Sequence, residues 1–184
     1  MPRGYPETSV WLLPDANHEP VLLETIARLS ALLGGAGFAP HVTLQGDIAL
    51  PWDRLAAPLA RLATTMPVQR WQVDRVECGA HFFRCLYLRF GVQSAFDELQ
   101  GAVRAVTGTA KGLSPFPHLS LAYGDAHPDN PRLCDLLAGE FVAREIVFDR
   151  LAVCRSASTL PISEWECLAE YPLCLQHEQP TPPP

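Results

Sequence analysis

No apolar run in the 184-residue chain approaches the roughly 20 residues that a membrane-crossing helix needs, and the start "MPRGYPETSVWLLPD" lacks the apolar stretch and cleavage site of a signal peptide. A cytoplasmic protein with no membrane partner is therefore expected. Lysine is almost missing, with Lys111 the one example among 14 basic residues. Against 20 acidic residues the formal net charge is −6, which disfavours a sequence-independent grip on long nucleic acid, since that grip comes from a basic face. No G-x-x-x-x-G-K-[ST] loop is present, and "GGAG" at 34–37 follows a helical pattern and reads as its stop. The six cysteines (78, 85, 134, 154, 167, 174) contain no C-x-x-C pair, which argues against a zinc or dithiol motif. They read as mostly reduced, buried, structural thiols. No metal and no cofactor is expected.

What is present, 48% hydrophobic and 18% charged residues, suffices for a globular core. The pattern alternates strand and helix. Residues 8–14 read as a strand, 18–35 as an amphipathic helix with Pro20 in its first turn, 41–50 as a strand, and 52–65 as a helix whose Leu55, Leu59 and Leu62 share a face. "VQRWQVDRVEC" (68–78) and "FFRCLYLRF" (82–90) read as strands separated by Gly79. The cycle recurs with a helix at 94–106, a strand at 117–123, a short helix at 130–139 and closing strands at 143–155 and 163–173. Two similar halves suggest an internally duplicated α+β domain over residues 5–175, followed by a patternless, disordered tail at 176–184.

Each half writes one short motif, "PHVTL" at 40–44 and "PHLSL" at 117–121. In a strand, residues i and i+2 share a face, so His41 and Thr43 project one way and Val42 and Leu44 the other; His118 and Ser120 repeat this against Leu119 and Leu121. Proline before each histidine suits the first residue of a strand, which places each imidazole near a surface or cleft. Two imidazoles and two hydroxyls gathered at one point suit a phosphodiester: one imidazole as general base, the other as general acid, and hydroxyl donors for the non-bridging oxygens.

These segments resemble the two-histidine (2H) phosphoesterases and, within them, the cyclic phosphodiesterases of plants and yeast. "SVWLLP" is similar to that family's first strand, "FAPHVTL" and "PFPHLSLAYGD" to its signature segments, "FFRCLYL" to the strand between them, and "LAVCRS" with "SEWECLAEYPL" to its closing hairpin. The resemblance implies a two-lobed fold of antiparallel sheets flanked by helices around a central cleft. It implies His41 and His118 as the catalytic pair, with His118 as base and His41 as acid, and Thr43 and Ser120 as donors to the phosphate. It also implies Trp11 and Tyr123 as aromatic walls of a nucleotide pocket. Phe83 matches a further family aromatic and reads here as core, and the disulfide-linked loops of the plant enzymes are not evident. Arg84, Arg89 and Lys111 are candidates to meet a phosphate. His81 reads as a solvated turn residue, and His18, His127 and His177 have no partner at ligand spacing.

The expected activity is metal-independent hydrolysis of small nucleotide cyclic phosphates, 2',3'-cyclic nucleotides or ADP-ribose 1'',2''-cyclic phosphate, by a monomer. One alternative is an RNA-end 2',3'-cyclic phosphodiesterase of the bacterial type. The other is a module that only binds a nucleotide or RNA end.

Overall fold

The computed structural model describes residues 8–175, so the tail expected to be disordered lies outside the described residues. Its elements follow one another as β1 (Thr8–Pro14), α1 (Glu19–Leu33), β2 (Val42–Ile48), α2 (Trp52–Ala63) and β3 (Gln69–Cys78). The same order then repeats as β4 (Leu86–Phe90), α3 (Gln93–Thr107), β5 (His118–Ala122), α4 (Asn130–Phe141) and β6 (Glu145–Arg155). A final strand, β7 (Glu166–Pro172), has no counterpart in the first half. Local chemistry explains several boundaries. Pro20 sits in the first turn of α1, and Gly34, at φ +72°, ends that helix in the left-handed conformation that suits glycine. In α2 the apolar face expected from the sequence is the buried one, Leu55, Leu59 and Ala63 being enclosed and Leu62 partly so.

The strand expected over 82–90 begins only at Leu86, because residues Phe82–Arg84 form a single 3₁₀ turn. Their backbone groups are committed elsewhere: the Phe82 carbonyl accepts from Gly124 N–H at 3.0 Å and the Phe83 carbonyl from Ser120 Oγ at 2.8 Å. A second such turn, Ile162–Glu164, occupies the start of the strand expected over 163–173.

All strand pairs are antiparallel, in the order β2-β1-β6-β3-β4-β5, with β7 beside β6. Exchanging the halves maps this order onto itself, so the internal duplication is visible in the topology. The halves are also interlocked. Helix α3 packs on β2 and α1 on β5, while α2 packs on β6 and α4 on β3, so each helix covers a strand of the other half. Both motifs sit on edge strands, and the sheet curls until those edges meet. Gln45 bridges to Leu113, and Gly46 N–H donates to the Gly112 carbonyl at 2.7 Å. Buried Gln100 of α3 ties the seam by donating to the Leu44 and Ser114 carbonyls, both at 2.8 Å. Gly112 has φ +76°, and a Cβ there would stand 1.7 Å from the Gly46 carbonyl oxygen, so only glycine fits this crossing.

The helix-covered face holds the main core, which includes Val10, Leu12, Leu44, Phe90, Phe148 and Leu121. Trp11, Leu13, Ala152 and Cys154 form a smaller apolar cluster that Trp165 and Cys167 join. All six cysteines are free thiols, but Cys78 and Cys174 are exposed rather than buried, as their places at the end of β3 and beyond β7 dictate. Cys154 and Cys167 face each other across β6 and β7 with their sulfurs 2.9 Å apart. No described helix is long and apolar enough to cross a membrane.

Candidate active site

The two motif histidines are held by the same local device. His41 lies one residue before β2 and His118 opens β5, and in each case Nδ1 meets the carbonyl two residues upstream: Ala39 at 2.7 Å and Phe116 at 2.9 Å. A carbonyl can only accept, so each Nδ1 carries the hydrogen and each neutral ring presents a bare Nε2. Pro40 and Pro117, between acceptor and imidazole, have no N–H of their own to offer. The alternation read from the motifs holds. Val42, Leu44, Leu119 and Leu121 are fully enclosed on the core side, while His41, Thr43, His118 and Ser120 line one cleft of about 230 Å³.

Trp11 and Tyr123 also line this cleft, so the structure brings all six candidate residues together. The face of Trp11 is not open, however. It stacks on the His41 ring with centroids 3.6 Å apart and planes 9° from parallel, and the side chain is only 3% exposed. Tyr123 stacks on Phe38 at 3.9 Å, and its hydroxyl stands 3.5 Å from His41 Nε2. Phe83, read from the sequence as core, is half-buried and lines the cleft, and His81, read as a solvated turn residue, is exposed yet lines it too. Sequence reasoning missed Trp165 altogether. It lies between the second 3₁₀ turn and β7, packs near-parallel to Phe83 at 5.8 Å, and has a buried Nε1 with no hydrogen-bond partner among the described residues. A lone tryptophan before a strand has no spacing signal, and only the pairing of β7 with β6 carries it to the site.

The charge around the cleft is uneven. Burial pulls both imidazoles down to about 4 from their usual value near 6.5. At His118 the positive charges of Arg84, Arg89 and His81 add to this, whereas at His41 the added charge is that of His118 itself. Burial likewise pushes the Tyr123 phenol up. Of the cationic candidates, Arg84 lines the cleft. Arg89 lies behind it, 3.8 Å over the Phe116 ring and 3.9 Å from Glu77. Lys111 is exposed and contributes its backbone carbonyl to Gln45 at 2.7 Å. His18 pairs with Asp15 and His127 with Asp129, away from the cleft, and His177 lies outside the described residues. Among the described residues no three His, Cys, Asp or Glu side chains gather as a metal site would require.

Paired histidines, each two residues before a hydroxyl, on the meeting edges of a duplicated sheet can carry out acid/base chemistry on a phosphodiester. Solved structures share the fold. The chain superposes on Escherichia coli LigT complexed with 3'-AMP with a TM-score of 0.57, at 14% identity over 91% of this chain and 98% of that one. It superposes on TT0787 of Thermus thermophilus with a TM-score of 0.60, at 14% identity over 93% and 100%. In sequence it is 26% identical over 166 residues to the cyclic phosphodiesterase of Arabidopsis thaliana, covering 88% of this chain and 92% of that protein. The profile of the 2'-5' RNA ligase superfamily matches residues 19–159, a span that takes in both motifs and both meeting edge strands. The chain thus belongs to that superfamily, the two-histidine phosphoesterases, whose members are enzymes.

Proposed function

We propose that this enzyme hydrolyses nucleotide cyclic phosphates to phosphomonoesters with His118 as general base and His41 as general acid. The supporting observation is the matched pair of imidazoles, each fixed through Nδ1 to a backbone carbonyl and each turning Nε2 to the same small cleft. Water attacks phosphorus as His118 Nε2 takes its proton; the ribose P–O bond then breaks, and protonated His41 gives its proton to the leaving oxygen. The charges near His118 support this order: Arg84, Arg89 and His81 favour its neutral form, the state a base needs. Thr43 and Ser120 supply hydrogen bonds to the non-bridging oxygens, for which Ser120 swings its proton away from the Phe83 carbonyl.

Trp11 serves by holding the His41 ring in plane rather than by stacking on a base. Trp11→Ala is accordingly expected to lower kcat more than it raises KM for a cyclic mononucleotide. A KM rise of roughly tenfold with kcat unchanged, the size of a lost stacking contact, would instead make Trp11 a wall for the base.

The cleft, at about 230 Å³, lies below the roughly 300–1,000 Å³ common for small-molecule sites, and among the described residues Arg84 is the one Arg or Lys lining it. Both features favour a mononucleotide-sized substrate over long RNA. The Arabidopsis relative is named a cyclic phosphodiesterase, and LigT has been captured with 3'-AMP, a mononucleotide. The test compares kcat/KM for a 2',3'-cyclic mononucleotide, ADP-ribose 1'',2''-cyclic phosphate and a ten-residue cyclic-ended oligoribonucleotide at two salt concentrations. The small substrates should be used at least as efficiently, with a shallow salt dependence. A large preference for the oligonucleotide that disappears in high salt would move the assignment to RNA-end processing. Binding of all three without turnover would leave only a recognition module.

A further inference from the structure

Besides the histidines, the cleft is lined by two side chains of opposite charge, Arg84 and Asp47, which the two-histidine chemistry does not require. Asp47 is occupied, its Oδ1 accepting from Ser158 N–H at 3.2 Å and lying 3.5 Å from Ser158 Oγ, which ties β2 to the loop after β6. Arg84 has no carboxylate partner among the described residues, although Arg28, Arg70, Arg75, Arg89, Arg150 and Arg155 all do. Its guanidinium makes a cation–π contact with Phe116 at 5.4 Å from the centroid, a looser one than that of Arg89 at 3.8 Å.

The backbone that carries this guanidinium is firmly held. Arg84 closes the 3₁₀ turn Phe82–Arg84 and donates its N–H to the His81 carbonyl at 2.8 Å. The same turn is bound to the second motif segment through Ser120 and Gly124. His81 lines the cleft beside it. Its Nδ1 accepts from Phe83 N–H at 3.3 Å, which leaves Nε2 for another partner. A half-buried guanidinium with no carboxylate partner among the described residues, next to an imidazole with a spare nitrogen, is built to receive phosphate oxygens. The scissile phosphate already has two imidazoles and two hydroxyls around it.

We propose that Arg84, assisted by His81, forms a second anion subsite in the cleft beside His118. The preferred substrate is then a small nucleotide cyclic phosphate bearing one additional phosphate, whether a terminal monoester or a pyrophosphate arm. With no other Arg or Lys lining the cleft, one extra phosphate is read and further ones add little. This inference rests on the cyclic-phosphate reading above.

The probes are adenosine 2',3'-cyclic phosphate and its 5'-phosphorylated form, assayed with the wild type, Arg84→Gln and Arg84→Lys, with circular dichroism to confirm folding. In the wild type, kcat/KM should be roughly tenfold higher for the 5'-phosphorylated probe, the size expected of a charge-assisted hydrogen bond. Arg84→Gln should collapse that ratio to about one, and Arg84→Lys should keep part of it, since lysine retains the charge without the fork. Any loss common to both probes reports the charge of Arg84 at His118 and cancels in the ratio. Equal use of both probes by the wild type, or an unchanged ratio in Arg84→Gln, would overturn the second subsite while leaving cyclic-phosphate hydrolysis standing. Turnover of neither probe by the wild type would instead overturn the proposed function itself.

Discussion

Replacing His41 or His118 by alanine is expected to lower turnover of a cyclic mononucleotide by roughly 10²-fold or more, the contribution typical of a positioned proton donor or acceptor. The fold should survive both changes, because Val42, Leu44, Leu119 and Leu121 carry the core side of each motif, while both imidazoles, though buried, line the cleft. The pH dependence carries its own sign. Both imidazoles are pulled from about 6.5 to about 4, so at neutral pH both are neutral in the free enzyme and the acid lacks its proton. The bell-shaped profile of kcat/KM, which reports the free enzyme, should therefore peak on the acid side of neutrality. The kcat profile should lie at higher pH, because a bound phosphate anion favours a charged His41. Folding stability is linked to the same shifts. A histidine whose folded value is depressed contributes in full above its unfolded value near 6.5 and loses that contribution as pH falls toward 4. A circular-dichroism control at each acidic point separates lost protonation from lost structure. Near-wild-type rates in either folded variant would remove that histidine from the chemistry.

The second large effect is expected at a residue that touches no substrate. Gly112→Ala places a methyl group where the Gly46 carbonyl oxygen already stands, 1.7 Å away, and the three Gly46 atoms it meets are all backbone, so no side chain can rotate aside. The seam that brings the two motif edges together must part. Gly108 supplies a matched control, since its φ of +70° is nearly that of Gly112 at +76° but a Cβ there meets nothing within 4 Å. Gly108→Ala should cost only the backbone strain of a left-handed alanine, roughly 1 kcal/mol. Gly112→Ala should cost several times that and remove most of the activity. Thermal melts and rates for the two variants decide it, and similar losses in both would mean that the seam is not what holds the histidines together.

The parts of this molecule that were legible in the sequence are those set by local chemistry. A period of two in "HVTL" and "HLSL" put the histidines and hydroxyls on one face, and Gly34 stopped α1 where a left-handed residue is needed. The duplication was readable because the same strand–helix cycle is written twice. The exchange of helices between halves was not. An amphipathic helix such as α3 shows the same apolar stripe whichever strand it covers, and nothing in its residues marks β2 as that strand. The turn at Phe82–Arg84 was hidden because its residues look like strand, and what bends them is the distant Ser120 and Gly124. Trp11 lines the cleft, yet its contact with His41 depends on the register of β1 against β2, where Trp11 faces Thr43. Trp165 escaped notice for a related reason, and Arg84 could not be told apart from Arg89 and Lys111 as a phosphate contact. Neither Trp165 nor Arg84 belongs to a repeated motif: Arg84 reaches the cleft through a turn that tertiary contacts anchor, and Trp165 through the pairing of β7 with β6.

The central claim is that two histidines hydrolyse a cyclic phosphate without help from a metal, and one labelling measurement addresses it directly. Chelator-treated wild type and His41→Ala/His118→Ala protein are incubated with adenosine 2',3'-cyclic phosphate in ¹⁸O-water, and the product is weighed by mass spectrometry. The wild type should yield one phosphomonoester isomer carrying a single ¹⁸O on phosphorus at an undiminished rate, and the double variant should yield none above background. An unlabelled or absent product from the wild type, or turnover that chelation abolishes and a divalent cation restores, would contradict it.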